Sequence, residues 1–310
     1  MNPPEPRVVL DPAVVARYPR FSRYNSPYPA HDRGRAIDLY PTDNTARSPV
    51  AGTVLETHTV GCPSREYAAD TDHLICIAVE DGATLDPAGT DTTLVARILH
   101  VEPWVEPGDD IELGKPLGSM VRSGFFGQWV DNHIHLDFRL SSQHLRRASG
   151  SLRLVADVPV AGLQWDGTGT VTETGPTHLV VDSPISTCSD GGSTSDRPGF
   201  VALAAECGTP LDGGFAHYSG GGVLTDADDS GARSLWFLGQ PVGTVENSRV
   251  VWHDIDLLAN GERITGLSLF ASRTGYGIKL VAPGHEWCTG DRIELSVRQC
   301  TEPIRLSSRD

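Results

Sequence analysis

Two histidines stand one residue apart in the segment NHIHLDFR, residues 132–139. Side chains alternate along a β-strand, so the pattern puts His133, His135 and Asp137 on one face and apolar side chains on the other. Burying two imidazoles and a carboxylate is costly unless they have partners, and a divalent metal ion accepts both kinds of donor. The alternative is an edge strand with its polar face in solvent, and the histidine pair alone favours that alternative.

Two upstream segments shift the balance toward a metal site. Residues 31–57, HDRGRAIDLYPTDNTARSPVAGTVLET, contain His31 and then Asp38 at the start of a predicted strand. Residues 98–118, ILHVEPWVEPGDDIELGKPLG, place His100 in a predicted strand ahead of a turn rich in Gly and Asp. Histidine and aspartate are common zinc ligands, and a catalytic zinc site keeps three of them.

In this order the segments resemble the LytM/lysostaphin-type zinc endopeptidases, family M23, over about residues 31–140. The resemblance implies that Asp38 and His135 bind Zn²⁺. It also implies that His133 and His100 flank a metal-activated water as general base and as stabiliser of the charge on the tetrahedral intermediate. Asp137 stands where the family has Glu and is expected to orient an imidazole from outside the ligand shell.

His31 departs from the family pattern, in which the third ligand, a histidine, precedes the aspartate by four residues. Here Gly34 holds that position, and His31 lies seven residues before Asp38. In one account a local detour at Gly34 returns His31 to the metal, and this account is favoured because glycine adopts such turns. In the other account His31 is a surface residue and the metal site is incomplete.

The chain is predicted to be all-β. It has 33 Gly and 22 Pro among 310 residues, and short apolar runs alternate with turn residues. Residues 1–30 are interpreted as a lead-in, 31–150 as the M23-like domain and 151–310 as a second β-rich domain. For the M23-like domain the resemblance implies a barrel-sandwich of two antiparallel sheets. Biotinyl and lipoyl carriers share that fold, but Lys115 lacks the flanking residues of a carrier lysine.

Composition limits the partners and the compartment. The net charge is -15 and only two lysines occur, so a basic face for nucleic acid is not expected. Neither a secretory signal nor a membrane span is visible, which predicts a cytoplasmic protein, with export by an unread route left open. The six cysteines include no CxxC pair, and reduced thiols are expected, although Cys62 and Cys76 could meet across adjacent strands.

The sequence therefore predicts a zinc-dependent metallopeptidase that cleaves a peptide or amide bond in a peptide-like substrate. The alternative is a non-catalytic binding or scaffold protein of the same fold with a degenerate metal site. Residues 151–310 are the natural place for substrate or partner recognition. Their tryptophans could contact a ligand but are expected mostly to pack in a core.

Overall fold

The computed structural model describes residues 5–87, 92–184, 199–225, 232–273 and 278–307. Strands make up 51% of the described residues and helices 3%, which confirms the prediction of an all-β protein. The chain forms two compact units. One joins Met1–Phe21 to Pro29–Val158, and the other joins Ser22–Tyr28 to Pro159–Asp310. Elements of regular structure already occur within the segment interpreted as a lead-in.

The first unit is built from short strands and two one-turn helices. The helices are α1 (Pro12–Val15) and α2 (Pro29–Asp32). The strands are β1 (Arg7–Leu10), β2 (Arg20–Ser22), β3 (Ala36–Tyr40), β4 (Thr45–Arg47), β5 (Ala51–Gly61), β6 (Thr71–Asp81), β7 (Ala83–Asp86), β8 (Leu94–Leu99), β9 (Val101–Pro103), β10 (Asp110–Ile111), β11 (Pro116–Met120), β12 (Ile134–Leu140) and β13 (Arg153–Ala156).

The main sheet of this unit has the order β10-β5-β6-β8-β12-β3, and its neighbouring strands are antiparallel. Strand β12, which carries His135 and Asp137, pairs with β8 on one side and β3 on the other. It is therefore an interior strand rather than the edge strand of the alternative interpretation. Two three-stranded sheets, β13-β1-β7 and β4-β11-β9, complete the unit, and the β1–β13 pair is parallel.

Alternation along β12 puts its apolar face in the core. Ile134, Leu136 and Phe138 are each 0% exposed. Asp137 on the opposite face is also buried, so both faces of the strand are covered. A strand covered on both faces can keep polar side chains only where they have partners, which sets the requirement for the site described below.

The second unit contains the remaining strands. They are β14 (Val160–Leu163), β15 (Thr168–Gly175), β16 (His178–Val181), β17 (Phe200–Leu203), β18 (Leu211–Phe215), β19 (Gly220–Val223), β20 (Arg233–Phe237), β21 (Gln240–Glu246), β22 (Arg249–Trp252), β23 (Ile255–Ala259), β24 (Glu262–Ile264), β25 (Gly266–Leu269), β26 (Ala271–Ser272), β27 (Ile278–Val281) and β28 (Arg292–Gln299).

Twelve of these strands form one sheet in the order β20-β21-β22-β19-β18-β25-β27-β16-β15-β28-β23-β24. Trp165 and Trp252 lie in the apolar core of the unit, whereas Trp236 is 46% exposed. Core packing thus accounts for the first two tryptophans. In the part of the chain that the structure describes, no helix is long and apolar enough to cross a membrane.

Candidate metal centre

Asp38 and His135 meet because their strands are neighbours in register. The two residues are directly opposite each other in the antiparallel pair β3–β12. Cross-strand partners have side chains close together on one face of a sheet. His135 Nδ1 lies 3.1 Å from Asp38 Oδ1, and the Asp38 side chain is only 3% exposed. Residues 97 positions apart in sequence thus share one buried contact.

His31 reaches the same point through a compact turn. It lies on the one-turn helix α2, and the next glycine, Gly34, has a φ of 61°, a left-handed conformation that suits glycine. Backbone hydrogen bonds from Gly34 N to His31 O and from Arg35 N to Ala30 O close this turn. His31 Nε2 lies 3.1 Å from Asp38 Oδ1. This is the arrangement that the favoured account of the seven-residue spacing requires.

Three donor atoms form a nearly equilateral triangle. His31 Nε2 lies 2.9 Å from His135 Nδ1, and each nitrogen lies 3.1 Å from Asp38 Oδ1. Each nitrogen carries at most one hydrogen, so protons can satisfy two of the three contacts. The third contact then brings together two N–H groups or two lone pairs. A cation bound by all three atoms removes that conflict.

The size and chemistry of the triangle fit zinc. Two imidazole nitrogens and one carboxylate oxygen are a usual zinc donor set, and these three residues could hold a metal ion. Atoms bound tetrahedrally at 2.0–2.2 Å from zinc lie roughly 3.3–3.6 Å apart, slightly more than the separations seen here. The donors therefore need only a few tenths of an ångström of adjustment.

Asp137 lies beside the other ring nitrogen of His135. His135 Nε2 is 3.4 Å from Asp137 Oδ2, so Nε2–H can donate there and leave Nδ1 bare for a metal. Arg97 Nη1 contacts Asp137 Oδ1 and Oδ2 at 2.9 and 2.8 Å. Burial alone would raise the pKa of Asp137, but Arg97 and His135 lower it to about 2. The carboxylate is therefore ionised and can accept.

The two histidines predicted to act on the water lie beside the triangle. His133 Nε2 is 3.5 Å from Asp38 Oδ1, and its Nδ1 is 2.8 Å from the Asp131 carbonyl oxygen. The His100 ring lies 5.1 Å from that of His133 and 5.8 Å from that of His135. His100 follows β8, the strand that pairs with β12, so three neighbouring strands and the helix α2 position the cluster.

Burial and charge set the protonation of the cluster. Burial would raise the pKa of Asp38, but the imidazoles of His133 and His31 hold it well below its ordinary value. Burial lowers the pKa of His133 to about 4, against the attraction of Asp38. Burial would also lower the pKa of His135, but its bonds to Asp137 and Asp38 raise it to about 9. Asp38 is thus an anion and His133 a neutral imidazole at pH 7.

Sequence reasoning missed several residues that build this site. Arg97 holds Asp137, Asp72 and Ser123 lie behind His100, and Phe126 packs 4.6 Å from His133 between ring centroids. Arg97 could have been identified from the sequence, because it is a charged residue inside the apolar strand LVARIL. The sequence indicates Asp72 less clearly, as a carboxylate at the start of the long buried strand TDHLICIAVED.

The cysteines lie outside the site. Cys62, Cys76, Cys207, Cys288 and Cys300 are free thiols, and Cys188 falls outside the described residues. The Cys62 thiol contacts the Ala69 carbonyl oxygen and the Cys76 thiol contacts Glu56, so each has its own partner.

Comparison with known families matches both units of the chain. Residues 9–156 match a model described as the N-terminal domain of a domain of unknown function, DUF8155, and residues 161–298 match its C-terminal domain. The two matches follow one another along the chain in that order. No curated protein and no solved structure matches the chain.

Proposed function

We propose that this protein is a zinc-dependent hydrolase of peptide or amide bonds, with His31, Asp38 and His135 as the zinc ligands. One observation carries the proposal: three buried donor atoms separated by 2.9–3.1 Å that protons cannot satisfy together. Zinc held by these three residues would supply Lewis acidity that activates a water molecule and polarises the scissile carbonyl. The resemblance of residues 31–140 to M23 peptidases supports peptide-like substrates.

His133 acts as the general base. Its Nδ1–H donates to the Asp131 carbonyl oxygen, so Nε2 carries the lone pair. That nitrogen faces the cluster, 3.5 Å from Asp38 Oδ1. A neutral imidazole with a bare Nε2 can take a proton from the attacking water and return it to the leaving amine.

His100 would take the second proton of the attacking water and, as an imidazolium, donate an N–H to the negative oxygen that develops on the substrate; this proton would pass to solvent after the amine has left. Its ring centroid lies 5.1 Å from that of His133 and 5.2 Å from that of Phe126. The aromatic surface limits water around the imidazole, and charge–dipole interactions are stronger where water is excluded. The base and the charge stabiliser thus come from different strands around one metal position.

Zinc binding tests the ligand set. Chelator-treated protein titrated with ZnCl₂ by calorimetry should bind one ion per chain. His135→Ala and Asp38→Ala should each lower the affinity at least about 100-fold, because a three-ligand site cannot keep zinc tightly with two. His58→Ala is the matched control, a histidine of β5 outside the cluster, and should bind like the wild type.

Hydrolysis separates the enzyme from the non-catalytic alternative. Zinc-loaded protein is incubated with quenched fluorescent peptides, oligoglycine among them, and cleavage is followed by fluorescence and mass spectrometry. Cleavage that disappears in His133→Ala while zinc is still bound supports the proposal. Zinc binding without cleavage of any peptide or amide favours a binding protein, and failure to bind zinc removes the basis for both the ligand set and the mechanism.

A further inference from the structure

Asp72 is a fully buried carboxylate that the proposed mechanism does not use. It lies at the start of β6 and is 0% exposed. Its Oδ2 lies 2.5 Å from His100 Nδ1 and accepts a hydrogen bond from the Ser123 hydroxyl at 2.6 Å. Its Oδ1 accepts the backbone N–H groups of His73 at 2.6 Å and of His100 at 3.1 Å. A carboxylate has only acceptors to offer, so it favours a proton on His100 Nδ1.

The same carboxylate holds the backbone of His100. His100 has a φ of 68°, a left-handed conformation that is uncommon for a residue other than glycine. Its N–H donates to Asp72, and its carbonyl oxygen accepts from Val121 N at 2.8 Å. Residues kept in such conformations cluster at functional sites, where the surrounding structure imposes them. Asp72 therefore fixes both the backbone conformation and the ring orientation of His100.

We infer that Asp72 is a positioning residue that holds His100 in the tautomer with hydrogen on Nδ1 and leaves Nε2 as the nitrogen available at the metal centre. The ring stands 5.1 Å from His133 and 5.8 Å from His135, so an available Nε2 serves the reaction described above. The catalytic consequence rests on the proposed hydrolase, whereas the tautomer is a property of the fold itself.

The two histidines that flank the metal position have different hydrogen-bond partners and therefore different roles. The partner of His133 Nδ1 is a neutral carbonyl oxygen, whereas the partner of His100 Nδ1 is a carboxylate. A buried carboxylate behind an imidazole orients it and stabilises its protonated form. His100 can thus take a proton at Nε2 while its Nδ1–H stays with Asp72, and the resulting Nε2–H can donate to the negative oxygen, whereas His133 passes its proton to the leaving amine.

Asp72→Asn tests this directly. Oδ1 accepts two backbone N–H groups, so the amide oxygen must take that position and the amide nitrogen must face His100 Nδ1. The amide then donates to Nδ1 and moves the ring hydrogen to Nε2, which leaves His100 no lone pair with which to take a proton at the metal centre. Nitrogen-15 NMR of His100 in zinc-free and zinc-loaded protein reports the tautomer. Hydrolysis should fall by about 10⁴-fold, as for a wrong tautomer in another catalytic histidine, with zinc stoichiometry unchanged.

Ser123→Ala is the control. It removes the other hydrogen bond to Oδ2 but keeps the carboxylate. The His100 tautomer should stay as in the wild type, and hydrolysis should stay within about tenfold of it. A general loss of packing around Asp72 would reduce hydrolysis in both variants without moving the ring hydrogen in either.

Two results would overturn the inference: wild-type protein with the His100 hydrogen on Nε2, or Asp72→Asn with a moved hydrogen and full hydrolysis. If Asp72→Asn does not fold, the wild-type and Ser123→Ala spectra still decide the tautomer. If the wild-type protein hydrolyses no substrate, that result contradicts the proposed function rather than this inference. The position of the His100 hydrogen in zinc-free protein then tests the role of Asp72 on its own.

Discussion

At the scale of single residues, three of the four histidines of the cluster are defined by the partner of the nitrogen that faces away from the metal position. His135 has Asp137, His133 has the Asp131 carbonyl oxygen and His100 has Asp72. Each partner favours a hydrogen on its own side, so the opposite ring nitrogen is the one that can face the metal position. Such outer partners orient metal-site imidazoles and raise their affinity for the metal.

Removing the partner of His135 should therefore weaken the metal site without touching a ligand. Asp137→Ala is expected to lower zinc affinity by about 10- to 100-fold. It also leaves the buried guanidinium of Arg97 without its carboxylate, which should cost about 3–5 kcal/mol of unfolding free energy. Calorimetric zinc titration and urea unfolding measure the two effects.

The matched control for that prediction is Glu56→Ala, which removes a carboxylate of the same sheet paired with the exposed side chain of Arg146. It should leave zinc affinity unchanged and cost at most about 1 kcal/mol, as exposed ion pairs do. Equal zinc affinity in Asp137→Ala and Glu56→Ala would contradict the role assigned to Asp137.

At the scale of elements, the site depends on the register of β3, β12 and β8, since a slip of one residue would turn Asp38 or His135 to the other face.

A β-bulge occurs in the same sheet, in the pair β5–β6. Gly52 has a φ of 150°, and the β5–β6 register shifts between Ala51 and Gly52. A Cβ at this position would lie 1.8 Å from the Ala78 carbonyl oxygen.

Gly52→Ala should consequently destabilise the first unit by more than about 2 kcal/mol, because backbone rather than a flexible side chain blocks the added methyl. Gly61→Ala tests the same substitution at the end of the same strand. A Cβ added there would meet no other atom within 4 Å, so stability should change by less than about 0.5 kcal/mol. Urea unfolding of both variants compares them. Similar small effects in both would show that the bulge does not constrain position 52.

At the scale of the whole molecule, the two units contain buried carboxylates with opposite pKa shifts. In the first unit burial would raise the pKa of Asp72, but His100 and Ser123 outweigh it and lower the pKa to about 2. In the second unit burial raises the pKa of Asp212 to about 6, against its hydrogen bonds from Arg23 N, the Ser22 hydroxyl and Tyr24 N. Asp72 thus contributes stability that is lost as pH falls from about 4 toward 2.

Asp212 should have the reverse effect. Its folded pKa lies above its unfolded value of about 4, so its contribution is full below pH 4 and is lost as pH rises through about 6. The difference corresponds to about 3 kcal/mol. Asp212→Asn should therefore gain stability relative to the wild type between pH 4.5 and 7.5 in thermal unfolding. The exposed substitution Glu173→Gln is the control, and a constant offset for Asp212→Asn across this range would contradict the assigned shift.

The β class and the two faces of β12 could be read from the sequence, because turn residues and the two-residue alternation of strands are local properties. The polar face of residues 133–137 and the carboxylate at Asp38 were likewise visible as types and positions. The order of strands was not visible, and with it the burial of β12 on both faces. Alternation defines the face of a strand but says nothing about its neighbours.

The meeting of Asp38 with His135, the return of His31 through α2 and the carboxylate behind His100 all arise in the folded chain. Each joins residues whose separation is bridged by strand pairing or by a backbone turn, and no local periodicity specifies such contacts. Local patterns carry the identity of candidate donors, whereas the distances that let three of them share one cation come from register and burial. For this reason the sequence could indicate the type of chemistry, a metal site of histidine and aspartate, whereas only the tertiary structure could give the geometry of that site.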